Sequence, residues 1–442
     1  MRLPCWAWLA LSSLALSPLA AATRPRYGGT LTVDLSATSD PSELPAELSP
    51  LVAETLVRLN EKGDPEAQLA VAWQRDADRK RWRFSLRPKV VFHDGEPLTA
   101  ANAAPALLAA LKKKYGDVTV TAGGQTIVIQ AEHTIPDLLT ELSTPRMAIL
   151  RKSDKNLPIG TGPFRVTAWE SGRRLTLGAM QDYWGGRAYL DSVIINLGSA
   201  RTSTDVFDLP IGATRRVLPE RTRIWSSPAR ELIALVAVKA DPAVMQALAL
   251  SIDRAPIVNV LTQRKGEAAF GLLPQWLSGY AFLFAISPDV ARAKTLIAQL
   301  KPTPLTLSYP ANDSFARSVA DRVAVNARDA GINIQPTSNA NGNLRLVRWQ
   351  LESVDAAAEL TRLAERAVKP DALYEAERSV LDERRIIPLV YVPAVYGIGP
   401  RVHNWDAAQK NGWFTLHLDN VWVEEPNREQ PSRDRKGALP DQ

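Results

Sequence analysis

The chain has 442 residues, 45% apolar and 23% charged, with 53 Lys and Arg against 47 Asp and Glu and a net charge of +6. That length is too great for one hydrophobic core and calls for two or three domains of an ordinary globular composition. The single cysteine, Cys5, excludes a disulfide framework, and the small basic excess, scattered along the chain, does not mark a nucleic-acid binder.

The first residues, "MRLPCWAWLALSSLALSPLAAATRP", place Arg2 before an apolar run from Trp6 to Leu16, with Pro18 and then Ala20 to Ala22 behind it. This is the pattern of a secretory signal, and the run is short of the roughly 20 residues that a membrane span needs. Residues 1–22 are therefore expected to be a signal peptide, with mature protein starting near Thr23; an uncleaved anchor is the other reading.

"GGTLTVDLS" (Gly28 to Ser36) predicts the first strand, and "LVAETLVRL" (Leu51 to Leu59) an apolar helical stretch. In "RKRWRFSLRPK" (Arg79 to Lys89), Arg81, Arg83 and Arg87 alternate with Trp82, Phe84 and Leu86, the period of a half-buried strand with its basic face outward. A nucleic-acid groove is the competing reading of that face. "GGQTIVIQAEH" predicts another strand, and "IPDLLTELS" a helix with Pro136 and Asp137 in its first turn. "IGTGPFRVTAWESGRRLTLGA" (Ile159 to Ala179) reads as a loop and two strands joined at Glu170–Gly172, and a further strand reaches Val238. Beyond it come helices at Asp241 to Leu261, in "DVARAKTLIAQL" and in "DSFARSVADRVAVNARDAG", with strands "PLTLSY" and "INIQP" around the last of these. Late strands are "RLVRW" (Arg345 to Trp349) and "IIPLVYV" (Ile386 to Val392); the polar, proline-rich end, 424–442, is expected to be disordered.

"HDGEP" (His93 to Pro97) concentrates a histidine and two acids in a chain with four histidines. A metal site needs three or four converging ligands, and His133, His403 and His417 lie far away in sequence with no paired spacing. Asp94-Gly95 is a turn dipeptide, and Thr99 is placed to cap the helix "AANAAPALLAAL" with Asn102 at its third position. A turn and cap account for the segment without a metal. No nucleophile elbow, phosphate loop or dinucleotide fingerprint is present, and "GTGPF" lacks the spacing of the last. The residues alone thus favour an exported α/β binding protein over an enzyme, with no catalytic residue, metal or cofactor, and do not identify its ligand.

A family resemblance adds to this. "RWRFSLRPKVVFHDGEPLTAANA" resembles the signature of family 5 extracellular solute-binding proteins, the oligopeptide-, dipeptide- and nickel-binding components of ABC importers. "GGTLTV", "LVRLNEKGDPEAQLAVAW", "IGTGPFRV", "QDYWGGRAYLDSVII" and "QALALSIDRAPIVNVL" match other parts of the pattern, so the likeness covers most of the mature chain. It implies an α/β, bilobal periplasmic-binding-protein fold of the class II type with an additional third domain. The implied division is 23–45, 159–235 and 389–423 for a discontinuous lobe I, 46–158 for lobe II, and 236–388 for a third domain or second half of the cleft. It also implies a monomer that traps a small-molecule or peptide ligand by hinge closure and delivers it to an ABC permease in the inner membrane. The rival is a degenerate binding domain acting as a periplasmic sensor or scaffold.

The segment before the last helix is shorter than the family's, but "LRLVRWQLESVD" resembles the region that carries a cleft tryptophan and an acidic anchor. The resemblance therefore puts ligand contact on Trp349 and Asp355, with Arg348 beside them. Each has a plainer reading: Trp349 as a core aromatic, Asp355 as a helix N-cap, Arg348 facing water or the other lobe. On a strand, Arg348 and Trp349 point to opposite faces.

Overall fold

A computed structural model of the chain describes residues 24–35, 44–60, 62–135, 138–154, 156–198, 204–212, 217–280, 284, 287–300, 303–409 and 415–424. The expected signal segment with Cys5, the expected tail apart from Glu424, and Pro136 and Asp137 lie outside these residues.

The first lobe opens with β1 (Thr30–Leu35) and the single turn α1 (Ser49–Val52). The chain then departs into a smaller body. There β2 (Val57–Leu59) pairs with β3 (Pro65–Ala67), and β4 (Ala70–Arg75), β5 (Arg81–Leu86), the helix α2 (Ala100–Tyr115), β6 (Val118–Gly123) and β7 (Thr126–Ala131) follow. The four longer strands form an antiparallel sheet in the order β4-β5-β7-β6. Trp82, Phe84 and Leu86 pack inward with Ile127, Ile129, Leu107 and Leu111, so the period-2 reading of this strand is the observed one. α3 (Leu138–Leu142), β8 (Arg151–Lys152) and β9 (Pro158–Ile159) bring the chain back.

β10 (Phe164–Glu170), β11 (Arg174–Ala179), β12 (Ser192–Leu197) and β13 (Val206–Asp208) complete the first lobe's part of the main sheet. The segment expected as lobe II forms the smaller body, whereas β14 (Arg223–Ala237) then passes into the second lobe, which is formed by the segment expected as a third domain. That lobe holds α4 (Pro242–Ser251), β15 (Glu267–Ala268), α5 (Gln275–Ser278), α6 (Val290–Leu300), β16 (Leu305–Ser308), α7 (Ser314–Asp329), β17 (Ile334–Thr337), β18 (Leu344–Gln350), α8 (Ala356–Ala364) and α9 (Leu373–Asp382). β19 (Ile386–Ile398) returns to the first lobe, where β20 (Val402–His403), α10 (Trp405–Ala408) and β21 (Trp422–Val423) end the described chain.

One sheet of 11 strands, in the order β10-β11-β12-β1-β13-β19-β14-β18-β16-β17 with β15 on β19, runs through both lobes. β14 and β19 are its long central strands, antiparallel from Arg223↔Ile398 to Val236↔Ile386 with register shifts between Ser226 and Glu231 and again between Ile233 and Ala234. Their two ends belong to different cores: Tyr396 and Ile398 pack in the first lobe, while Ile233, Leu235 and Leu389 pack in the second. Alternation along β14 and β18 serves both faces of the second lobe. Ile233, Leu235, Leu344 and Leu346 meet α4, α6 and α7, and Leu232, Ala234, Val347 and Trp349 meet α8 and α9.

Two expected helices are corrected. "LVAETLVRL" is helical only to Val52; Ala53 to Leu56 are buried irregular chain, and Val57–Leu59 is β2. The helix from Asp241 stops at Ser251, Ile252 is extended, and a wider turn at Ile257–Leu261 follows. Tertiary burial outweighs helix propensity in both places.

Candidate functional site

A cavity of about 490 Å³ opens where the first lobe, the smaller body and the second lobe meet. That volume lies in the range of small-molecule sites. Its walls carry Glu54, Arg58 and Arg87 from the seam of the smaller body, Tyr183 and Trp184 from the loop before β12, His417 and Asp419 from the last described segment, and Glu352 to Val354 from the loop between β18 and α8.

The first-lobe wall is organised by Glu54. It is 3% exposed, and its carboxylate accepts from Thr161 Oγ1 (2.9 Å), Tyr183 Oη (2.7 Å) and Trp184 Nε1 (2.8 Å). Burial pushes its pKa above the ordinary carboxylate value, and the hydrogen bonds from Trp184, Tyr183 and Thr161 work against that rise. The rings it holds, Tyr183 and Trp184, present aromatic surface to the cavity, and the Arg87 guanidinium lies over Trp184 at 4.2 Å from the ring centroid.

The two polar motifs of the sequence meet behind this wall. "HDGEP" is a turn: Gly95 N–H donates to Phe92 O (2.9 Å), and Gly95 has φ +86°. Thr99 caps α2, with the reciprocal bonds of a capping box closed by Asn102. His93 N–H donates to Gly160 O (3.0 Å) and its Nε2 meets Gly162 O (3.0 Å), while Asp94 and Glu96 both pair with Arg151. Burial lowers the His93 pKa. "GTGPF" is glycine-rich because the loop presses on α1's end: a Cβ on Gly160 would lie 2.2 Å from Val52 O, and one on Gly162 2.7 Å from Val52 C. Among the described residues, no group of three or more His, Cys, Asp or Glu is arranged to hold a metal ion.

None of the three residues on which the sequence places ligand contact lines the cavity. Trp349 packs half-buried against the α8–α9 core. Arg348, on the opposite face as strand geometry requires, is held by Glu231 (Nε–Oε1 2.9 Å, Nη2–Oε2 2.6 Å) and by Asp313 (2.6 Å) at the start of α7. Asp355 N-caps α8, accepting from Ala357 N (2.9 Å) and Ala358 N (3.0 Å). The cavity is reached instead by their neighbours Glu352, Ser353 and Val354. Glu54, Arg87, Tyr183 and Trp184 were within reach of sequence reasoning only by weak signals: one acid inside an apolar run, the basic face of a strand, and an aromatic pair before a glycine pair.

Two lobes joined through the long crossing strands β14 and β19, with a cavity at their meeting, define a bilobal periplasmic-binding-protein fold, here with an additional body. Residues 64–207 match the profile of the bacterial extracellular solute-binding proteins, family 5 Middle. The chain is 32% identical over 153 residues to the nickel-binding protein NikA of Staphylococcus aureus (32% of this chain, 31% of that protein). It is 23% identical over 322 residues to the probable D,D-dipeptide-binding periplasmic protein DdpA of Escherichia coli (64% of this chain, 62% of that protein). The matched stretches thus span less than two thirds of these curated relatives. The fold is that of the oligopeptide-binding protein AppA of Bacillus subtilis in complex with a nonapeptide, at a TM-score of 0.73, 16% identity, and coverage of 91% of this chain and 100% of that one. The NikA of S. aureus in complex with Ni(L-His)2 gives 0.72 at 18% identity, covering 89% and 100%. Residues 64–207 thus resemble the family 5 extracellular solute-binding proteins, and the fold as a whole is similar to those of the two solved structures.

Proposed function

We propose that this protein is the periplasmic substrate-binding component of an ABC importer, which captures a small peptide-like solute between its lobes by hinge closure and hands it to a membrane permease. The observation that carries this reading is the 490 Å³ cavity whose wall is shared by the two lobes and the smaller body. Its aromatic surface is flanked by side chains of both signs, Arg58 and Arg87 against Asp419 and Glu352, which suits a ligand with charged ends. In this reading Trp349, Arg348 and Asp355 act through the loop between them. Trp349 and Arg348 fix the end of β18, Asp355 fixes the start of α8, and Glu352 to Val354 are held at the cavity. The rival reading, a sensor or scaffold without transport, has no comparable observation behind it.

Native mass spectrometry of the protein, purified from cells without denaturation, tests the proposal. A bound species of peptide-like mass, released on unfolding, is the expected result. A protein that emerges empty and takes up no species from a periplasmic extract would sink it.

A further inference from the structure

The charged groups around the cavity are not equivalent. Arg58 is engaged by Glu66 (Nη2–Oε2 3.0 Å), and Glu352 by Arg146 (2.8 Å). Glu54 has three neutral donors on its carboxylate. Arg87 differs from all of these. Its Nε donates to Gln68 O (2.9 Å), its planar face rests on Trp184, and it pairs with no carboxylate among the described residues. Trp184 is itself pinned by the bond from its Nε1 to Glu54, so the guanidinium lies on a fixed platform at the cavity wall. A guanidinium that spends Nε on a carbonyl and stacks on a ring keeps its terminal N–H groups for a further acceptor, and its fork matches a carboxylate. A cation left without a counter-charge in a partly desolvated cleft is stabilised by an anion that enters it.

We infer that Arg87 is the specificity-determining anchor for a free carboxylate of the captured solute, with Trp184 and Glu54 as the residues that position it. This rests on the cavity being the ligand site. The solute class is then one that presents a carboxylate, and masking that group removes the preference.

The test offers the purified protein a casein-derived mixture of short peptides, and the same mixture after methyl esterification of its carboxylates, with native mass spectrometry of what is retained. Wild type should retain the free acids at least about tenfold over the esters, the size expected for one charge-assisted anchor. Arg87→Gln, which still reaches Gln68 O and still covers Trp184, should retain acids and esters alike. Arg87→Lys keeps the charge without the fork and should show an intermediate preference; it also carries the test should the glutamine variant fail to fold, as judged by circular dichroism. Equal retention of acids and esters by wild type, or an undiminished preference in the folded variants, overturns the role of Arg87 and leaves the peptide reading standing. Retention of neither mixture overturns the peptide reading, and this inference with it.

Discussion

Glu54 shows how one buried acid can organise a wall. Its neighbours Val52 and Leu56 are fully buried, and its carboxylate would be costly there without the donors from Thr161, Tyr183 and Trp184. Because burial raises its pKa, the folded protein holds this proton at pH values where the unfolded chain has released it. The sign follows: the folded state binds more protons, so this group's contribution to stability falls as pH rises from the ordinary value of 4.5 towards the raised folded value. Glu54→Gln keeps the shape and removes the titration. Urea melts at about pH 5 and about pH 8 should show the wild type losing more stability over that interval than the variant. Equal losses would mean that the Glu54 carboxylate is ionised in the fold as readily as in the unfolded chain.

At the scale of elements, the turn "HDGEP" and the loop "GTGPF" use glycine for different reasons. Gly95 sits at φ +86°, and a Cβ there would meet nothing within 4 Å. Gly160 has no such dihedral, but its Cβ would fall 2.2 Å from Val52 O. Gly95→Ala should therefore cost about 1 kcal/mol through backbone conformation alone. Gly160→Ala should cost about 3 kcal/mol or more, because backbone must move apart. Thermal or urea unfolding of the two variants checks the ranking, and a larger loss at Gly95 would contradict it. The α2 cap was legible in sequence because Thr99 and Asn102 bond to atoms three residues apart. The end of α1 was not: Leu56 and Val57 are apolar enough for a helix, and their place is set by packing against the smaller body, with Leu69 and Phe84.

Across the whole molecule, a chain of charges links the smaller body to the second lobe beside the cavity. Buried Glu141 takes Arg146 at two points (2.9 and 3.0 Å) and Lys114 at a third, and Arg146 reaches on to Glu352 (2.8 Å), which lines the cavity. Burial alone would raise the Glu141 pKa, but Arg146 and Lys114 outweigh it and hold it low. The arginine is thus fixed before it meets the other lobe, so the cross-lobe pair forms at little cost in side-chain entropy. The pair itself is half-exposed, and such pairs contribute about 1 kcal/mol or less. Under the proposed closure, Glu352→Lys should shift the lobes towards an open form by about fivefold in population, and adding Arg146→Glu should restore much of it. Small-angle scattering reports the change as a larger radius of gyration; equal scattering from all three proteins would show that the contact does not bias the lobes.

The sequence by itself determined the α/β class, the alternating strand at Trp82 to Leu86, the turn and cap at Asp94 to Asn102, and the family pattern that goes with them. These depend on periods and bonds spanning a few residues. It also determined that Arg348 and Trp349 would face opposite sides of their strand, since a strand admits nothing else. What each of the two would touch was decided only by tertiary structure. Arg348 finds Glu231, 117 residues away, and Glu54 finds Tyr183 across 129. Those meetings depend on how β14 and β19 carry the chain between lobes and how the loops before β12 and after β18 return to one place. No local period encodes them, so the cavity, and the Arg87 in its wall that pairs with no carboxylate among the described residues, became visible only when the chain was folded.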